Sequence, residues 1–145
     1  MTGAEYQTQF DTLVGRGYRL VFVDGYTVSG QPQYAAIWEQ SSGPEWVARH
    51  GLTSQQYQQA FDTYTSQGYR LKHVSGYAQG NTALYAAIWE KSGTNVEWVA
   101  HHGMTSAGYQ NEFNSWVGNG YTLKVVSGYT LYSNEDRYAA LWFKE

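Results

Sequence analysis

Between Tyr69 and Val74 apolar and polar residues alternate, the two-residue period of a strand with one face buried. Immediately upstream the period is helical. Tyr57, Phe61 and Tyr64 stand at i, i+4 and i+7, with Gln58, Gln59, Asp62 and Thr63 turned the other way, so an aromatic stripe faces a core. Thr53, three residues before Gln56, supplies the hydroxyl of a capping box, and Gly68 suits the left-handed residue that closes a helix. Beyond Val74, Ser75-Gly76-Tyr77 breaks the alternation and predicts a bulge or bend. Gln79-Gly80-Asn81-Thr82 then reads as a hairpin loop and Tyr85-Ala86-Ala87-Ile88-Trp89 as the return strand, its alanines small enough for close packing on a neighbour. Glu97-Trp98-Val99-Ala100 predicts a third short strand, leading through His102-Gly103 to the next helix.

This order of elements occurs nearly three times. Tyr6 and Phe10 return as Tyr57 and Phe61 and again as Tyr109 and Phe113, at offsets of 51 and then 52 residues. Gly25-Tyr26, Gly76-Tyr77 and Gly128-Tyr129 correspond, as do the segments Tyr34–Trp38, Tyr85–Trp89 and Tyr138–Trp142. A fixed period of this length marks supersecondary units too small to bury their apolar faces alone. The expected fold is therefore α+β: three tandem helix-plus-β-hairpin repeats with antiparallel strands, in a pseudo-threefold or curved arrangement within a single repeat domain. Repeat one is read as residues 1–51, repeat two as 52–103 and repeat three as 104–145, the last without a Glu-Trp-Val-Ala segment and so truncated. Thr2 and Glu5 repeat the capping box, whereas Gly108 takes the Glu or Gln position in the third copy and predicts a weaker first turn. A ring of three such units leaves one strand position empty, and an open stack leaves an edge able to pair with another chain, so a homo-oligomer is an expectation.

Charge and composition narrow the partners. A net charge of −3 with nine Lys plus Arg provides no basic stripe, which removes the electrostatic drive for binding nucleic acid. No apolar run approaches the roughly 20 residues of a membrane span, so no membrane insertion is expected, and the first residues lack the basic start and apolar stretch of a signal peptide. With no cysteine there is neither a disulfide framework nor a thiol nucleophile. The 14 tyrosines, 6 tryptophans and 16 glycines stand out against 14% charged residues, a balance suited to β-rich units and to surfaces that stack and hydrogen-bond.

Taken in order from Trp46 to Glu90, the pattern WVAxHG(L/M)TSxxYQxxF, GYRLxxVSGY and YAAIWE resembles the bacterial tandem repeat domain family, arrays attached to β-lactamase-like serine hydrolases that include the fungal polyglycine hydrolases. The likeness extends over essentially the whole chain. It implies a non-catalytic, often extracellular accessory array, and it transfers no binding residue. The Ser-x-x-Lys nucleophile motif of the hydrolase partner is absent from these 145 residues.

Residue chemistry points the same way. His50 and His102 occupy one place in successive copies, His101 beside the second, without the converging ligands of a metal site or the nucleophile and acid of a catalytic one. They read as structural residues at a strand-to-helix turn that bond backbone. Asp24 aligns with Ser75 and Ser127 and reads as a turn cap; Glu39 and Glu90 align with Phe143, so no acid pair recurs as glycoside hydrolysis requires. No catalytic residue, metal ligand or cofactor is assigned. The recurring aromatics on helix and strand faces read as core. Tyr26, Tyr77 and Tyr129, each after a glycine at the expected bend, together with Trp46 and Trp98 in the linking segments, are the candidate stacking platforms for sugar rings, with Gln79, Asn81 and Asn134 in the hairpin loops as hydrogen-bonding partners. The function this supports is a non-enzymatic multivalent binding module with glycans as the first ligand class, its partner a glycan or a protein surface; the alternative is a structural or protein-interaction array accessory to a secreted serine hydrolase, self-assembling through its unpaired edge.

Overall fold

A computed structural model describes residues 1–91 and 96–144. Three helices and eight strands are found among them: α1 (Gly3–Gly15), β1 (Tyr18–Val28), β2 (Gln31–Gln40), β3 (Trp46–Thr53), α2 (Ser54–Ser66), β4 (Tyr69–Gln79), β5 (Thr82–Lys91), β6 (Glu97–Met104), α3 (Ser106–Gly118), β7 (Thr122–Thr130) and β8 (Asp136–Lys144). Each hairpin is antiparallel, and the fold is the α+β tandem repeat expected.

Local sequence explains the helices. Thr2 and Thr53 each accept from the backbone N–H three residues on, while Glu5 and Gln56 reach back to the cap N–H, which completes two capping boxes. At α3 Thr105 still accepts from Gly108 N–H, but glycine has no side chain to return the bond. The helices end two residues before Gly17, Gly68 and Gly120, whose φ values of +85°, +90° and +88° are left-handed and favour glycine.

The irregularity in each first strand lies elsewhere than at Ser75-Gly76-Tyr77. Register skips one residue between Leu20 and Phe22, between Leu71 and His73, and between Leu123 and Val125, whereas β4 runs unbroken through Gly76 and Tyr77. The bend predicted from the glycine is thus a bulge about four residues earlier, and the glycine has another purpose, described below.

The linking strands join the unit that follows them. β3 pairs with β5, giving the order β3-β5-β4, and β6 pairs with β8, giving β6-β8-β7. The structural unit therefore starts at its linking strand, earlier than the boundaries at 51 and 103. The third unit is complete with three strands; the first has two, β1 and β2. Met1 alone pairs beside β2, donating to Tyr34 O and accepting from Tyr34 N–H, the place Leu52 takes opposite Tyr85.

The units meet through their first strands, β4 packing between β1 and β7. Two apolar cores result, and both lie between units. One joins Tyr6, Leu20, Val23 and Tyr34 of the first unit to Tyr77, Leu84, Ala86 and Ile88 of the second. The other joins Tyr57, Leu71, Val74, Tyr85 and Trp89 of the second to Tyr129, Ala139, Leu141 and Phe143 of the third. Burial between neighbours, worth about 25 cal/mol per Å² of apolar surface, is what makes units of this size stable.

Candidate functional site

The recurring Gly-Tyr pairs meet each other across the joints. The Tyr77 ring lies flat on Gly25, so that a Cβ built there would sit 2.2 Å from a ring carbon; Tyr129 lies on Gly76 with the corresponding distance 2.3 Å. Only hydrogen fits. Gly25 N–H donates to Ser75 Oγ at 2.9 Å, and Gly76 N–H donates to Ser127 Oγ at 2.9 Å, so the serine before each glycine binds the preceding unit. Asp24, in the same place in the first unit, accepts from Ser75 Oγ at 3.5 Å. These are bonds between units, where a local turn cap was expected.

The tyrosine hydroxyls complete the joint. Gly51 N–H donates to Tyr77 Oη at 2.9 Å, and Tyr77 is hydrogen-bonded in turn to the Tyr34 hydroxyl. Tyr129 repeats this with the Gly103 backbone and the Tyr85 hydroxyl. Gly51 and Gly103 reach their positions with φ of +65° and +66°. Burial is the chief cause that raises the Tyr77 and Tyr129 hydroxyls above their ordinary pKa, so both remain protonated.

The histidines of the repeated His-Gly pair belong to the same joint. His50 stands edge-on to Tyr6 and Tyr34 at 4.8 and 5.2 Å, and His102 to Tyr57 and Tyr85 at 4.7 and 5.2 Å. Both histidines thus pack on aromatic rings, and His102 also makes the backbone hydrogen bond anticipated at the strand-to-helix turn, with Ser54. His102 Nε2 also lies 2.9 Å from Ser54 Oγ; Gly3 holds that position in the first unit. His73 reaches across to the Val23 carbonyl at 2.8 Å.

The candidate ligand residues consequently separate. Tyr77 and Tyr129 are 2% and 7% exposed and cannot stack on a ligand, a correction to the sequence reading. Tyr26 is 40% exposed because no unit lies before it in the described chain. Trp46 and Trp98 are half-buried against Phe10 and Phe61 at 5.8 and 5.5 Å, cementing each linking strand to the helix of the preceding unit. Asn81 spends its Oδ1 on the Ser133 N–H at 2.8 Å, and Asn134 sits at φ +61° in the last hairpin loop. Gln79 is exposed and lines a cleft of about 490 Å³ with Gln31, Gln33, Tyr34 and His50. The structure therefore does not gather the eight residues into three equivalent sites. Tyr26, Tyr77 and Tyr129 do border one cleft of about 360 Å³, formed where the three inner strands come together. Among the described residues no cluster of three or more His, Cys, Asp or Glu is placed to hold a metal.

Comparison with known families finds the same threefold repetition. Residues 1–41, 43–92 and 95–145 each match the polyglycine hydrolase-like structural repeat. The chain belongs to that family. The second and third matches begin ahead of Trp46 and Trp98, so the polyglycine hydrolase-like repeat starts with its linking strand, as the sheet pairing does.

Two consequences can be measured. Tyr77→Phe removes the hydroxyl on which Gly51 N–H and Tyr34 depend, and is expected to cost about 1–3 kcal/mol, whereas Tyr26→Phe should fall within about 0.5 kcal/mol of wild type in urea titrations. The second concerns acid. Burial lowers the pKa of His50, His73 and His102 below the ordinary 6.5, outweighing at His73 the Val23 carbonyl and Asp24, which favour its charged form. The unfolded chain then binds more protons than the folded one, so stability is full above about pH 7 and falls as pH drops through 6.5 toward 5. A urea midpoint that stays level between pH 7.5 and 5 would contradict this.

Proposed function

We propose that this chain is a non-catalytic structural array that presents a protein-interaction surface, accessory in the manner of the repeats found beside serine hydrolases. The observation that carries the reading is the Gly-Tyr stack at both joints, which commits the most regular aromatic motif of the sequence to packing unit on unit. The histidines, which a Ser-His hydrolytic site would recruit, are packed against tyrosine rings. Ser54 and His102 form a hydrogen-bonded pair, yet no carboxylate is hydrogen-bonded to that imidazole, so the orienting group of a triad is missing among the described residues.

Glycan binding remains as a second reading because of one feature, the 490 Å³ cleft. Gln31, Gln33 and Gln79 bring amides to a space bordered by the half-buried Pro32 and His50 rings, the mixture of flat face and hydrogen-bonding groups that a sugar requires. Titration calorimetry with a panel of soluble oligosaccharides decides between the two. The structural reading expects no saturable heat from wild type. Saturable binding that is lost in Gln79→Ala, with the fold retained, would replace it with the glycan reading.

A further inference from the structure

The joint seen twice inside the chain leaves one half of itself at each end. On the first unit, Tyr26 and Ile37 are 40% and 55% exposed and Ala35 is open, although their counterparts Tyr77, Ile88 and Ala86 are 2%, 4% and 0% exposed beneath the first unit. On the third unit, Val126 is 48% exposed where Val23 and Val74 are each 1%, and Tyr109, Leu123 and Tyr138 are half-buried where their counterparts are buried. The two surfaces are the two sides of one interface. We propose that they bind each other between copies of this chain, the first unit of one molecule seated on the third unit of the next. This rests on reading the chain as a structural array and names its partner as a second copy.

The details of the joint carry over residue by residue. Gly128 is the counterpart of Gly25 and Gly76, but no neighbouring tyrosine covers it; a Cβ there meets only Tyr138 of the same unit, at 3.2 Å. The partner's Tyr26 has the ring to cover it. Asp24 stands where Ser75 and Ser127 accept from a glycine N–H, and a carboxylate accepts from the Gly128 N–H equally well. Val126, Leu123 and Tyr109 provide the apolar floor that Val74, Leu71 and Tyr57 provide at the second joint. The intermolecular contact has no linking strand on β2, since Met1 alone pairs there, so it is weaker than either internal joint. Because the two surfaces differ, the contact is head-to-tail and propagates to a filament or closes to a ring.

Sedimentation velocity across a concentration series provides the test. Wild type is expected to rise above the 16.4 kDa of one chain as concentration increases. Gly128→Ala, whose Cβ asks the Tyr138 ring of its own unit to give by a few tenths of an ångström but would block an incoming Tyr26 ring outright, should weaken association about tenfold or more, and Tyr26→Ala should do the same from the other side. Each variant keeps one intact surface. Mixed in equal amounts, they should form a dimer and nothing larger. A wild type that stays monomeric at all concentrations, association that survives Gly128→Ala with unchanged circular dichroism, or a mixture that does not dimerise would each overturn the proposal. Sugar binding would instead count against the structural reading, so the two failures have different readouts. Should Gly128→Ala lose its fold, Tyr26→Ala mixed with wild type decides: capping of wild-type chains at one end shortens assemblies only if contact is head-to-tail.

Discussion

Gly76→Ala is expected to cost about 2–3 kcal/mol, the upper part of the range for overpacking a close-fitted core, while the same change at Gly128, where the new Cβ meets the Tyr138 ring at 3.2 Å, should cost clearly less in the isolated chain. The two glycines occupy the same place in their strands, and neither has the left-handed φ that only glycine tolerates well. Strand propensity therefore predicts similar, even stabilising, effects at both. The difference comes from the neighbour. At Gly76 the new methyl would sit 2.3 Å from the Tyr129 ring, which is held by its hydroxyl bond to Tyr85 and cannot swing aside cheaply. Pushing that ring away also lengthens the Gly76 to Ser127 bond and loosens the packing of Leu141 and Ala139 on the second unit. In a linear array, stability is a sum of unit terms and nearest-neighbour terms, and this substitution attacks a neighbour term. Urea unfolding should thus show an early loss of the third unit. Equal midpoints for the two variants would mean that the tyrosine does not clamp the glycine.

The same comparison explains what was legible in the sequence. Helices, capping boxes and hairpins were readable because their causes lie within a few residues: Thr53 with Gln56, or Gly68 after the last helical turn. The partner of a strand is set at longer range. Nothing near Trp46 reveals that it pairs with Glu90 and that β3 belongs to the second unit, so the sequence places the boundary a strand too late. The tyrosines depart from expectation for a related reason. Tyr26, Tyr77 and Tyr129 share a local sequence, so internal symmetry assigned them one role, whereas their surroundings differ according to whether a unit precedes them. The one available signal was the glycine itself: an invariant absence of a side chain in a strand marks close approach of another group as readily as a bend. Glu90 gives a smaller example, aligned with Phe143 yet pairing with Arg19 at 3.4 Å across the first joint, while Arg70 lies over the Phe143 ring at 5.0 Å across the second. One arginine position meets a carboxylate at one joint and an aromatic face at the other, so the equivalence of repeats holds for shape more closely than for chemistry.

Trp89→Ala is expected to be the most damaging single truncation, costing about 3–5 kcal/mol, a large part of the 5–15 kcal/mol by which domains are ordinarily stable. Trp89 is fully buried in β5, the middle strand of its sheet, flanked by Leu71 on β4 and Val47 on β3. Tyr57 and Tyr64 of α2 pack on it at 6.1 and 5.0 Å, so the cavity opens in the centre of the chain, with rigid rings on one side and paired backbone on the other, and collapses poorly. Trp38 is the control. It has the same sequence context, but β2 has a strand on one side only, and Trp38 is half-exposed, so Trp38→Ala should cost clearly less. Trp89→Phe separates two contributions. It removes part of the ring, yet it also removes an indole N–H that is buried without a partner, whose desolvation costs about 1–3 kcal/mol. That substitution should therefore recover more stability than the retained ring area alone provides. Denaturation followed by far-ultraviolet circular dichroism measures all three; equal losses for Trp38→Ala and Trp89→Ala would show that the linking strand does not seal the unit it joins.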